Sequence, residues 1–183
     1  MTKKTKTIDI FGATNSLKVL SYLAEHPGKE FLCSEIQKAT SISRAGVYIA
    51  LGELSRQNLV SKAKKGKLLF YSIIYDDSAI KQFKILKNVL ALRTLVSKLK
   101  GLSTKIILYG STSRGENDPT SDIDLFILSQ DPEAAKKVIA SLKTRQKIQS
   151  IIKTPSELPD FEKKEKVYYA EVDRGITLWE RKE

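Results

Sequence analysis

Asp122 and Asp124 stand two positions apart in TSDIDLFIL, an apolar β-prone run. Strand side chains alternate at about 3.3 Å per residue, so both carboxylates project to one face and reach a site about 7 Å wide. Two converging carboxylates suit Mg²⁺, a hard cation that takes oxygen ligands and leaves the rest of its shell to substrate phosphates. Upstream, TKIILYGS (104–111) is a second β-prone run ending in Gly110-Ser111, a tight turn whose glycine lets backbone amides approach phosphate oxygens. The polar spacer STSRGENDPTSD joins the two runs and carries Arg114-Gly115.

Strand, Gly-Ser, spacer with Arg-Gly and Asp-x-Asp strand together resemble the signature of the DNA polymerase β-like nucleotidyltransferase superfamily, particularly its minimal nucleotidyltransferase branch. The resemblance implies a nucleoside triphosphate held by Gly110, Ser111, Arg114 and Gly115, with Mg²⁺ on Asp122 and Asp124 as metal ligands and catalytic residues. In that chemistry one ion activates the attacking oxygen and another steadies the leaving pyrophosphate. The family completes its site with a third carboxylate on a neighbouring strand. Here the next strand candidate, KIQSIIKT (147–154), has no acid. Either Gln149 or Ser150 takes that position, because a one-residue slip swaps the faces of a strand. Glu157 and Asp160 follow only after Pro155, where the strand should have ended.

The elements in front of this site suggest a separate unit. In TNSLKVLSYLAE (14–25), Leu17, Leu20, Leu23 and Ala24 share a helical face, with Asn15 or Ser16 as cap. CSEIQKAT (33–40) reads as a second helix, capped by Ser34, with Ile36 and Ala39 inward. RAGVYIALGELSRQNLV (44–60) reads as a third, on Val47, Leu51 and Leu54. The short joint between the last two fits a helix-turn-helix. LVSKAKKGKLLFYSII (59–74) then reads as a hairpin around Lys65-Gly66-Lys67.

Residues 11–75 therefore resemble an archaeal or bacterial winged helix-turn-helix domain. By position, Ser41, Ser43, Arg44 and Tyr48 would face double-stranded DNA from the start of the third helix, and Lys62, Lys64, Lys65 and Lys67 would line the wing. Charge agrees: residues 1–75 hold 12 Lys and Arg against 5 Asp and Glu, more than half of the net +11. An excess so placed favours a polyanion through counterion release.

A long helix over 76–100 joins the halves, with Ile80, Phe83, Ile85, Leu86, Val89, Leu90, Leu92, Leu95, Val96 and Leu99 spread over more than one face. That width fits either core packing or pairing with a second copy, a homodimer suited to palindromic half-sites. Residues 132–146 read as an amphipathic helix with Ala135, Val138, Ile139 and Leu142 inward. Residues 156–175 read as helical in their second half, stopping at Gly175, and ITLWE (176–180) as a last short strand.

No apolar run approaches the roughly 18 residues that cross a bilayer. The basic start MTKKTKTIDIFG reads as cytoplasmic, lone Cys33 fits a reducing compartment, and one Cys with one His26 excludes a Cys/His zinc cluster. The expected fold is α+β: a winged helix-turn-helix over 1–75, a connecting helix over 76–102 and a nucleotidyltransferase-like α/β domain with a mixed sheet over 103–183. Nearly the whole chain is similar to archaeal and bacterial proteins that fuse these two parts and often lack the third acid. Three functions stay open. The chain is a DNA-binding, transcriptional regulator that binds a nucleotide and Mg²⁺ with weak or absent catalysis; or an active enzyme moving a nucleotidyl group from an NTP to a protein or small-molecule hydroxyl; or an antitoxin-like protein that docks a partner protein.

Overall fold

A computed structural model describes residues 10–141, 144 and 146–181. The chain divides into two compact units, residues 1–80 and 81–183. The basic stretch before Ile10 and the expected inward Leu142 lie outside the described residues.

The first unit begins with a 3-10 turn at Ile10–Gly12, followed by α1 (Asn15–Ala24), β1 (Phe31–Leu32), α2 (Cys33–Thr40), α3 (Arg44–Arg56), β2 (Val60–Lys65) and β3 (Leu68–Ile73). The strands form an antiparallel sheet in the order β1-β3-β2. Val19, Leu20 and Leu23 of α1 are buried, as are Ile36 of α2 and Val47, Ala50, Leu51 and Leu54 of α3. Three helices and a two-stranded wing in this order are a winged helix-turn-helix.

Local chemistry moved several boundaries. Thr14, not Asn15 or Ser16, caps α1 by accepting from Leu17 N at 3.2 Å, and Ser16 bonds Glu53 instead. Ser34 lies inside α2; the chain enters from Leu32, whose N–H donates to Glu35 at 2.7 Å. Ala39 is exposed and Thr40 is the inward residue, because position 40 sits one full turn after Ile36 and its hydroxyl donates to the Ile36 carbonyl at 2.7 Å. The third helix stops at Arg56, where Asn58 takes a φ of 57° and lets Val60 start the wing.

The helix α4 (Ser78–Leu99) leads into the second unit and spans about 33 Å. Its first turn counts with the first unit. The rest of the unit is β4 (Ser103–Tyr109), α5 (Gly110–Arg114), β5 (Ile123–Ser129), α6 (Pro132–Ala140), β6 (Ile148–Lys153), α7 (Leu158–Lys164), α8 (Lys166–Asp173) and β7 (Ile176–Glu180). The sheet order is β6-β5-β4-β7, with β5 and β6 parallel and the other pairs antiparallel.

Alternation sorts the sheet into two faces. Ile106, Leu108, Ile123, Leu125 and Ile127 pack with Leu92, Leu95, Val96 and Leu99 of α4 and with Ala135 of α6. Ile107, Tyr109 and Phe126 pack with Phe161 of α7 and Val172 of α8. Leu86 is half exposed rather than inward. The α6 helix ends at Ala140, short of the expected 146, and α7 makes the first half of 156–175 helical too. Gly110-Ser111 is not a bare turn: it opens the single-turn helix α5.

Candidate functional site

The turn after β4 is built by one missing side chain. Gly110 takes a φ of 70°, and a Cβ there would lie 2.3 Å from Asp124 Oδ2. The absent Cβ is the space that the Asp124 carboxylate fills. Register supplies the rest, since Asp124 pairs with Tyr109 across the antiparallel ladder. Asp122 stands just before β5, where Thr112 Oγ1 donates to its carbonyl at 3.1 Å.

Register also resolves the third position. Asp124 is paired with Gln149 and Leu125 with Ser150 across the parallel β5·β6 ladder. Gln149 alternates in step with Ile151, which packs on the Phe126–Phe161 side; Ser150 alternates with Ile148 and Ile152, which pack on the α4 side. Gln149 therefore shares the face of Asp124, and its Nε2 donates to Asp122 Oδ2. Burial raises the Asp124 pKa, the charge of Asp122 adds to the rise, and Arg114 opposes it.

Arg114, expected beside a nucleotide, donates to Glu116 at 2.9 Å and to Glu171 on α8. Gly115 takes a φ of 70°, and a Cβ there would lie 2.3 Å from the Lys81 carbonyl, so this glycine lets α5 end against the α4 backbone. The half-buried Ser111 offers its carbonyl to Glu116 N at 3.0 Å.

Sequence reasoning missed the platform beneath this loop. Asn88 on α4 donates to the Thr112 carbonyl and to Asn117 Oδ1, both at 2.9 Å. One turn earlier, buried Lys84 donates to the Asn117 carbonyl at 2.5 Å, and burial holds its pKa below the usual lysine value. Little in the sequence singled them out, because the same helix also carries Lys81, Gln82, Lys87, Arg93, Thr94, Ser97 and Lys98. On the sheet face with Asp124, the Tyr109 and Tyr168 hydroxyls are 2.6 Å apart, and burial pushes Tyr109 far above its usual range.

Among the described residues no group of three or more His, Cys, Asp or Glu converges to hold a metal. Two carboxylates beside a glycine cradle suit one hard cation whose shell is completed by phosphate oxygens.

In the first unit, Ser41, with a φ of 55°, ends α2, while Ser43 caps α3 by accepting from Gly46 N at 3.2 Å. Arg44, Tyr48 and Lys67 come together on an open groove of about 670 Å³, floored by Leu32, Leu69 and Tyr71. Tyr48 is 64% exposed. Lys62 and Lys64 project from one face of β2, outside that groove. Lys65 is engaged already, paired with Glu30 and 5.4 Å from the Phe70 ring centroid.

No helix among the described residues is long and apolar enough to cross a membrane. No curated protein matches the chain. Solved structures with partial likeness include the homodimeric winged helix-turn-helix DNA-binding domain of Mb0332 from Mycobacterium bovis, described as a possible ArsR-family transcriptional regulator. It is 24% identical, with a TM-score of 0.37, over 45% of this chain and 72% of that one. A possible transcriptional regulator from Methanosarcina mazei is 14% identical, with a TM-score of 0.34, over 47% and 75%. TrmBL2, an archaeal chromatin protein, is 10% identical, with a TM-score of 0.32, over 85% and 68%. Such scores do not extend to the chain as a whole. Residues 90–173 match the family model of the nucleotidyltransferase domain, a span that holds Gly110, Asp122, Asp124 and Gln149.

Proposed function

We propose that this chain is a DNA-binding, transcriptional regulator whose nucleotidyltransferase domain holds a nucleoside triphosphate with Mg²⁺ and transfers its nucleotidyl group, with release of pyrophosphate, weakly or not at all. Residues 1–75 would serve DNA and 103–183 the nucleotide, in a cytoplasmic protein; the helix between them leads from the first unit and packs Leu92, Leu95, Val96 and Leu99 into the core of the second. The observation that carries the reading is Gln149, in register with Asp124 and bonded to Asp122, where transfer would need a third carboxylate. Gly110 and Ser111 would sit against the phosphates and Asp122 and Asp124 would hold the cation, whose chemistry is to neutralise phosphate charge. An uncharged amide cannot take a proton from an acceptor hydroxyl, so nucleotide binding survives the substitution and transfer does not.

On the DNA side, Ser41, Ser43, Arg44 and Tyr48 surround the exposed start of α3, and Lys62, Lys64 and Lys67 supply contacts to phosphate independent of sequence. Lys65 contributes less, being matched by Glu30.

Two measurements test the reading. Fluorescence anisotropy with the duplex upstream of its own gene should show salt-dependent binding that Arg44→Ala weakens at least tenfold; equal affinity for unrelated duplexes would remove the regulatory part. Incubation with each radiolabelled NTP and Mg²⁺ should label nothing at a rate above that of Asp122→Asn. Efficient labelling lost in that variant would make the protein an enzyme.

A further inference from the structure

We propose that Gln149 restricts this site to a single divalent cation, the one that accompanies a bound nucleoside triphosphate, and that a second cation finds no ligands here. The inference rests on the nucleotide-binding reading and sharpens it.

Three side chains share the edge of one sheet face: Asp122, Asp124 and Gln149. Ser150, the other residue able to take the third position, alternates to the opposite face and contributes no oxygen. The two carboxylates give one divalent ion its charged protein oxygens. A second ion would have to coordinate a neutral amide oxygen after displacing the amide N–H from Asp122. Hard cations take charged oxygen in preference to an amide oxygen such as that of the exposed Gln149.

Among the described residues no third acid converges on the two aspartates. Glu157 accepts from Thr154 N at 2.8 Å and from its hydroxyl at 2.9 Å. Asp160 is paired with Lys164, and Glu116 and Glu171 both hold Arg114. The chemical class of ligand is thus a nucleoside triphosphate with one Mg²⁺ or Mn²⁺.

The test counts ions rather than turnover. Equilibrium dialysis of Mn²⁺ at saturating concentrations of the α,β-methylene analogues of the four ribonucleoside triphosphates should give one Mn²⁺ per chain for the wild type. Gln149→Glu, nearly isosteric and charged, should give two with the same analogue; Gln149→Asp repeats the measurement with a shorter side chain. Circular dichroism establishes that each variant is folded. Two ions on the wild type would overturn the inference and leave nucleotide binding standing. One ion on the wild type and on both folded variants would overturn it as well. Binding of no analogue by the wild type would instead overturn the nucleotide-binding reading, and this inference with it.

Discussion

Gly110 is the residue on which the geometry of the carboxylates turns. Ala at this position adds a Cβ 2.3 Å from Asp124 Oδ2 and forces a side chain onto a φ of 70°. Gly110→Ala should therefore lose about 1–3 kcal/mol of stability, measured by chemical denaturation, and should abolish nucleotide-dependent stabilisation in thermal melts. Lys84 gives a pH signature. Its pKa in the folded chain lies below the ordinary 10.5 because it is buried, so between those two values the unfolded chain binds more protons. Stability should rise as pH climbs towards 10.5, and below both values, where both states are protonated, the burial cost is fully present. Lys84→Met should flatten that rise in denaturation curves taken across alkaline pH. Both aspartates and the glycine were legible in the sequence, because residue type and spacing alone define them. The choice between Gln149 and Ser150 was not: it depends on how β6 is registered against β5, which no property of KIQSIIKT itself specifies.

Among the elements, α3 is held at its start by a single side chain. Ser43→Ala removes the acceptor for Gly46 N and should cost about 1 kcal/mol, read as a lower Tm, whereas Ser43→Gly should cost only a few tenths. At the start of α4, Gly115→Ala would press a Cβ against the Lys81 carbonyl. It should lower the Tm by separating α5 from α4, and nucleotide affinity should fall with it. The periodicity of α1, α3 and α4 was readable because burial on one face imposes it. The caps at Thr14 and Leu32 were not: Thr14, Asn15 and Ser16 all offer an acceptor before α1, and α2 begins after Leu32, which has no capping side chain, so that Ser34 falls inside the helix. The exposure of Leu86 was hidden for a similar reason: α4 is apolar on more than one side, and its own sequence does not say which side the sheet takes.

For the whole molecule, a net charge of +11 sets the expectation for DNA. Each phosphate contact contributes about 0.9 to the slope of log affinity against log salt. Replacing Lys62 and Lys64 together by Ala should lower that slope by about 2 while weakening all duplexes alike. Lys65→Ala should change it less, because Glu30 already neutralises that charge. The two-part organisation was legible from the change of pattern near residue 76, whereas the order of strands in the second sheet was not, because pairing across long stretches of chain leaves no local trace. That order has a consequence during synthesis. The first unit closes its sheet with strands that end by Ile73, but β4 is flanked on one side by β7, which is not made until residues 176–180. The winged helix can therefore finish folding while the chain is still growing, and the nucleotidyltransferase sheet waits with one side of β4 bare until its last strand emerges. Until then that bare edge is a place for chaperones to hold, and for two nascent copies to exchange strands.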